Sequence, residues 1–445
     1  VSIVIKTIES HERIEMNVNL PNQSPYEPLK IKAEITGNIS TSDWDGNISI
    51  EGTYLEPEKF FRKLPVKGGV ANLKILTNWK KAKLVNFNGA VDYSDFLLAS
   101  GKTTIETSAL IKNINFYIDG KRKSNKDWLL NFDIKNLQTK NGVWPSSNYQ
   151  IEFVKDLKNN VYRYNGYFPF LKLEDIKPLI IRYNLLPENI LKKLNIYSIS
   201  GNVSDIEVEI KSEKESLLEI RKISAIFSNL NLLSHDKSSA IKGLDGKLIN
   251  DDLSIKVKID SKSTEFSFDK LYTENIIVPN LSAEIKLNHK NYNELLIKNL
   301  RVFSNEISLT TNGKILLDGD SAFVDAKMNL NESNIEYFSK LIPDKTNPKL
   351  TSWLKNSILG GRIISGGISY EGYAEDFLFE NPKNDFKMTL NLGDVNLEYH
   401  PSWPPIDKLV AVVTIENNEL AADISSGYIF NAQIDNSSVI IKNLN

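Results

Sequence analysis

The chain has 445 residues, with 54 Lys or Arg against 56 Asp or Glu and a formal net charge of −2. This balance leaves no net field to attract nucleic acid or an anionic membrane surface, so nucleic acid is not an expected partner. The absence of cysteine excludes disulfides, thiolate catalysis and cysteine-based metal sites. Length alone favours about three globular domains, although this estimate of domain number does not hold for an elongated repeat fold.

The first residues form an apolar run that is soon interrupted. Glu9, His11 and Glu12 follow it, so the run is too short for a membrane span or a signal peptide. No later window offers about 18 consecutive apolar residues. Because the chain begins with Val1, we expect a soluble piece of a longer protein.

Alternation of apolar and polar residues dominates the chain and predicts antiparallel strands with one dry and one solvated face. In chain order the alternating runs are 48–54, 206–211, 253–260, 281–288, 307–316, 322–330, 386–392 and 409–415. Three polar clusters, at 250–252, 312–313 and 318–320, predict hairpin turns between strands.

Helical patterns are few and short. The candidates are 57–64, 173–194 with an interruption at Pro187, 332–341 and 350–359. Three times, a helix is followed by glycine and then a strand, which indicates diverged copies of one helix-and-meander unit. We therefore predict three repeat regions, 1–170, 171–330 and 331–445, within one continuous elongated fold. The predicted fold class is mostly β, a long, curled antiparallel β-sheet of repeated meander units with an apolar groove and a few short helices.

Such a sheet must cover its apolar face, because soluble proteins rarely expose so large a patch. The sheet could curl on itself, pack on a second sheet, or hold an apolar ligand. If it holds a ligand, the candidate groove-lining residues are the alternating apolar positions Ile206, Val208, Ile210, Ile255, Val257, Ile259, Ile285, Leu287, Leu390 and Leu392. The alternative is an ordinary dry core between two sheets.

No pattern in the chain indicates chemistry. The four histidines lie far apart without ligand spacing, and no nucleophile-elbow, zinc-protease or phosphate-loop motif occurs. We therefore predict no catalytic residue, no metal site and no cofactor. The two Trp-Pro sites, at Trp144 and Trp403, could serve a ligand, but we expect each tryptophan to plug a sheet end where proline breaks the ladder.

Several segments resemble the YhdP-type members of the AsmA-like bacterial envelope proteins. The segment LEYHPSWPPIDKLVAVVTIENNELAADISSG (397–427) is similar to that family's recurrent acidic-Tyr, Trp-Pro and strand-pair pattern. Segment 347–381 resembles its helix, double-glycine and strand order, and segment 278–315 resembles the preceding meander. NGVWPSSNYQIEF and ISGNVSDIEVEIK match further landmarks, so the resemblance covers most of the chain and is strongest from about residue 240 onward.

The resemblance implies a periplasmic protein of Gram-negative bacteria, anchored to the inner membrane in its full-length parent. It also implies non-catalytic conduction of phospholipid between inner and outer membranes along a hydrophobic β-groove. The expected partners are phospholipid acyl chains, both membranes through parts of the parent outside this chain, and envelope proteins. The alternative function is a structural β-array that acts as a scaffold for envelope protein partners.

Overall fold

The structure is a computed structural model that describes residues 2–8, 11–18, 29–60, 66–98, 109–124, 127–156, 161–182, 197–213, 218–250, 254–288, 291–318, 321–345, 348–374 and 384–442. Strands make up most of these residues, and every recorded strand pair is antiparallel. The predicted mostly β, antiparallel class is confirmed. The chain divides into two compact units, Val1–Asn195 with Ile199–Ile226, and Ile196–Ser198 with Phe227–Asn445.

The first unit is an antiparallel meander in which strands that follow each other in sequence pair side by side. Its strands are β1 (Ser2–Ile8), β2 (His11–Val18), β3 (Leu29–Asn38), β4 (Asp43–Leu55), β5 (Val66–Lys67), β6 (Val70–Lys80), β7 (Lys83–Leu98), β8 (Ala109–Arg122), β9 (Trp128–Thr139), β10 (Gly142–Trp144), β11 (Ser147–Asp156), β12 (Val161–Lys172) and β13 (Tyr197–Glu213). The short strands β5 and β10 pair beside β7 and β9 respectively. The boundary between the units falls within β14 (Leu218–Ser234).

The second unit repeats this meander. Its strands are β15 (Ser239–Asn250), β16 (Ser254–Phe268), β17 (Ile276–Asn288), β18 (Asn291–Phe303), β19 (Ser308–Asp318), β20 (Ser321–Leu330), β21 (Ser333–Asn334), β22 (Ile358–Tyr373), β23 (Asp385–Leu397), β24 (Ile406–Glu416), β25 (Glu419–Ile429) and β26 (Ala432–Ile441). The two-residue strand β21 pairs with β22, as does β20. The second unit is therefore a ladder of sequential hairpins, interrupted once by helices.

The described residues include four short helices. They are α1 (Pro57–Phe60), α2 (Leu173–Arg182), α3 (Ile335–Lys340) and α4 (Pro348–Ser357). Each lies within a predicted helical segment or overlaps it, while 61–64 and 183–194 of those predictions lie outside the described residues. The third helix is shorter than predicted because Asn334 caps it, its side chain accepting a hydrogen bond from the Tyr337 amide at 2.9 Å. No helix in the described ranges has the length and hydrophobicity needed to cross a membrane.

β-Bulges that contain a residue in the left-handed backbone conformation recur along both meanders. At three of them, the amide of the left-handed residue donates to an asparagine Oδ1 on the neighbouring strand: Tyr54 to Asn72 at 2.9 Å, Asn299 to Asn312 at 2.8 Å, and Lys408 to Asn396 at 3.2 Å. Each bulge shifts the register of its strand pair and locally increases the twist. The sheet of each unit is thus bent at intervals by a repeated device.

The hairpin turn predicted at 312–313 was wrong. Asn312 and Gly313 lie in the middle of β19, where Gly313 pairs with Ala326 of β20. The side chain of Asn312 instead accepts the hydrogen bond from the Asn299 amide at the bulge. The turns predicted at 250–252 and 318–320 fall mostly on residues outside the described ranges.

Candidate functional site

The apolar residues of the first unit lie in rows on one face of its meander. Because directly opposed residues of paired strands point to the same side, the register defines these rows. One row contains Met16, Ile31, Ile50, Ile75, Gly89, Ile118, Phe132 and Tyr149. We call this side of each meander the apolar face.

The three predicted groove residues of the first unit share its apolar face. Ile206, Val208 and Ile210 alternate along β13, and they oppose Phe168, Gly166 and Tyr164 of β12 respectively. Ile206 is buried and the other two are half-buried. Sequence reasoning thus placed these residues together on one surface, whereas their role as a ligand surface stays a prediction.

The seven predicted residues of the second unit also share one face. Within β16 and β17 the pairs are Ile255 with Leu287, Val257 with Ile285, and Ile259 with Ala283. One row then continues across the unit through Leu248, Val257, Ile285, Ile297, Gly313, Ala326, Tyr370 and Phe386. Leu390 and Leu392 follow Phe386 at alternate positions of β23, so they belong to the same face.

Burial separates these seven residues into two groups. Leu390 and Leu392 are buried, while Ile255, Val257, Ile259, Ile285 and Leu287 are half-buried. Half-buried apolar side chains are those that neighbouring protein atoms cover incompletely. The β16–β17 part of the apolar face is therefore the part best suited to contact an apolar ligand.

The opposite side of the same strands is polar. A row across β15 to β18 contains Lys247, Lys258, Glu284 and Lys298. Ion pairs lie across this side, such as Lys242 with Glu265 at 2.9 Å and Lys314 with Glu294 at 3.3 Å. Such exposed pairs stabilise the fold only slightly, but they keep this face in water.

A cavity of about 380 Å³ lies on the apolar face of the second unit, and we call it the chamber. Its walls are almost entirely apolar: Leu271, Tyr272, Leu309, Thr311, Val324, Ala326, Met328, Phe338, Leu341, Ile342, Pro343, Leu354, Ile368, Tyr370, Ala374, Phe386, Met388 and Ile415. None of the ten predicted groove residues lines it. One signal could have indicated it, because two of the three methionines of the chain, Met328 and Met388, lie in its wall.

Polar chemistry is sparse at these surfaces. In the described part of the chain, no group of three or more His, Asp or Glu residues could hold a metal ion. His235 and His400 are exposed, and Nδ1 of His400 accepts a hydrogen bond from the Ser402 amide at 3.1 Å. His11 and His289 have no described side-chain surroundings.

A family model for the YhdP protein matches residues 1–445, the whole of the sequence. The chain belongs to the YhdP family. The resemblance found in the sequence is thereby confirmed, and it places the chain among the AsmA-like bacterial envelope proteins. Comparison with curated proteins and with solved structures found no match.

The two Trp-Pro sites of this YhdP-family chain differ in structure. Trp144 is 7% exposed, packs edge-on against Phe170 with ring centroids 5.4 Å apart, and donates from Nε1 to Asp175 at 2.8 Å. The predicted plug is confirmed there. Trp403 is 62% exposed, and its ring centroid lies 6.3 Å from that of Tyr399, so the same prediction was wrong for Trp403.

Proposed function

We propose that this YhdP-family chain conducts phospholipid along the apolar face of its meanders, as the periplasmic part of a longer protein anchored in the inner membrane. One observation carries the proposal: each unit arranges its half-buried apolar side chains in rows that cross many strands, with a polar row on the other side. Acyl chains would lie along the rows, and head groups would stay in water.

The energetics favour this use of the apolar face. Removing an acyl chain of 16 carbons from a bilayer costs about 0.8 kcal/mol per CH₂, or roughly 13 kcal/mol in total. An apolar wall offsets this cost by replacing the lost hydrocarbon contacts. Because no bond is made or broken, the proposal needs no catalytic residue, metal or cofactor.

The inner and outer membranes would be reached through parts of the parent protein outside this chain. A gradient, or partners outside this chain, would drive the movement. The proposal therefore assigns to this chain the middle step only, which is holding acyl chains out of water while they move.

Lipid extraction and mass spectrometry of the chain, purified without detergent, would test the proposal. We expect phospholipid to copurify, because half-buried apolar rows retain bound acyl chains. A soluble β protein without an apolar row, purified in parallel, provides the background. A preparation with lipid no higher than that background would contradict the proposal and favour the scaffold function.

A further inference from the structure

The segment 335–345 forms a strap over the apolar face of the second unit. It consists of α3 and the five residues that follow it. Ile335 and Phe338 are buried, and Phe338 lines the chamber. The strap lies opposite β19, β20, β22 and β23 across the chamber, because all four strands and the strap contribute to the chamber wall.

The C-terminal end of the strap is hydrogen-bonded to the turn between β16 and β17. The Tyr272 hydroxyl donates to the Leu341 carbonyl at 2.9 Å, and the Thr273 amide donates to Asp344 Oδ1 at 2.9 Å. The Lys345 amide donates to the Leu271 carbonyl at 3.0 Å. These contacts join segments about seventy residues apart in sequence, so the strap roofs the apolar face and does not merely lead from one strand to the next.

Tyr272 keeps its role in this fastening across the physiological pH range. Burial and, to a smaller extent, the nearby Asp344 carboxylate together raise the pKa of the Tyr272 hydroxyl to about 12. The hydroxyl therefore remains a protonated donor at neutral pH. We therefore expect the Tyr272–Leu341 hydrogen bond to persist at neutral pH.

The shape and composition of the chamber limit what it can hold. Its volume of about 380 Å³ lies near the lower end of the range for pockets that hold one small ligand. The wall offers almost no polar partner, and the Thr311 hydroxyl within it has no hydrogen-bond partner. Met328 and Met388 supply long, flexible side chains that can adapt to an irregular apolar guest.

We propose that the chamber is a covered slot for a single acyl chain, with the strap as its roof. This inference rests on the proposed function and deepens it. The two chains of one phospholipid would not share the slot, and the head group would remain outside it. The slot would thus recognise the length of an acyl chain and not the head group.

The native methionines provide a direct test without a probe-bearing substitution. Photo-methionine, a diazirine analogue, would replace Met328 and Met388 in the chamber and Met16 on the apolar face of the first unit. The labelled chain would be irradiated with vesicles of phosphatidylethanolamine and phosphatidylglycerol. Peptide mass spectrometry would then locate lipid adducts, which we expect at all three positions.

A larger side chain that fills the slot should lower lipid adducts at the two chamber methionines only. Ala326 lines the chamber, so Ala326→Phe should lower adducts at Met328 and Met388 by about tenfold, a loss of roughly 1.4 kcal/mol, and leave Met16 unchanged. Ala422→Phe is the matched control, because Ala422 lies on the same apolar face outside the chamber wall. If Ala326→Phe fails to fold, Ala326→Leu is the smaller filler.

The outcomes separate the slot from the proposed function. Adducts at Met16 but not at Met328 or Met388 would overturn the slot and leave the function standing, whereas no adducts at any methionine would overturn the function. Unchanged chamber adducts in a folded Ala326→Phe chain would also overturn the slot. Sodium palmitate, which shares only the acyl chain, should compete at Met328 and Met388, and failure to compete would show that the slot recognises a head group.

Discussion

Val257→Asp is expected to reduce copurifying phospholipid by about tenfold or more while the chain keeps its β content. Val257 opposes Ile285 in the β16–β17 ladder, and both side chains are half-buried on the apolar face. An acyl chain lying over that pair would bury the new carboxylate without a partner, at a cost of several kcal/mol. Without lipid, the half-buried site lets water solvate the charge, so the fold survives.

Lys256→Asp is the matched control for this change. Lys256 precedes Val257 on the polar side of the same strand and opposes Lys286, so a carboxylate there gains an opposite charge as its cross-strand neighbour. Lipid content should be unchanged in this variant. Equal lipid loss in both variants, or loss of the circular-dichroism β signal in Val257→Asp, would contradict an open ligand surface, and the second result would indicate a closed core.

Asp175→Ala is expected to lower the free energy of unfolding by about 3 kcal/mol. The buried Asp175 carboxylate of α2 accepts three side-chain hydrogen bonds, from Thr139 Oγ1 at 2.8 Å, Asn141 Nδ2 at 2.6 Å and Trp144 Nε1 at 2.8 Å. These donors lie on and around the β9–β10 turn, so the carboxylate fastens α2 to the β9–β10 hairpin. Its removal leaves buried donors unsatisfied, each at about 1 to 3 kcal/mol.

Urea unfolding followed by tryptophan fluorescence would measure this loss. Asp133→Ala is the control, because Asp133 pairs with Lys135 at 2.6 Å on a partly exposed surface where ion pairs contribute little. We expect its effect to be below about 0.5 kcal/mol. Similar losses in the two variants would show that the cluster around Asp175 does not hold α2 in place.

Period-two alternation predicted the strands well because the side chains of a half-buried strand must alternate between water and apolar contacts. That constraint placed Val257 and Ile285 on one face before any pairing was known. The register of β18 against β19, by contrast, shifts between Ile297 and Leu300 at a bulge that alternation does not encode. The turn predicted at 312–313 failed for this reason, since an Asn-Gly pair serves a bulge as readily as a hairpin.

The chamber could not be derived from any single strand. Its wall combines residues from 271 to 415, and its roof depends on hydrogen bonds between Tyr272, Thr273 and the strap. Likewise, the sequence predicts the same buried plug for Trp144 and Trp403, because both precede proline. Only Trp144 has a buried acceptor within reach, and that acceptor comes from a helix some thirty residues away.

The most direct test of the account is a photocrosslinking scan along β16. Residues 255 to 260 would be replaced one at a time by a photoreactive amino acid, and the folded chains would be irradiated with phospholipid vesicles. We predict lipid adducts at positions 255, 257 and 259, on the apolar face, and none at 256, 258 and 260, on the polar face. Adducts without this alternation, or none at all six positions in folded chains, would contradict conduction of lipid along the apolar face.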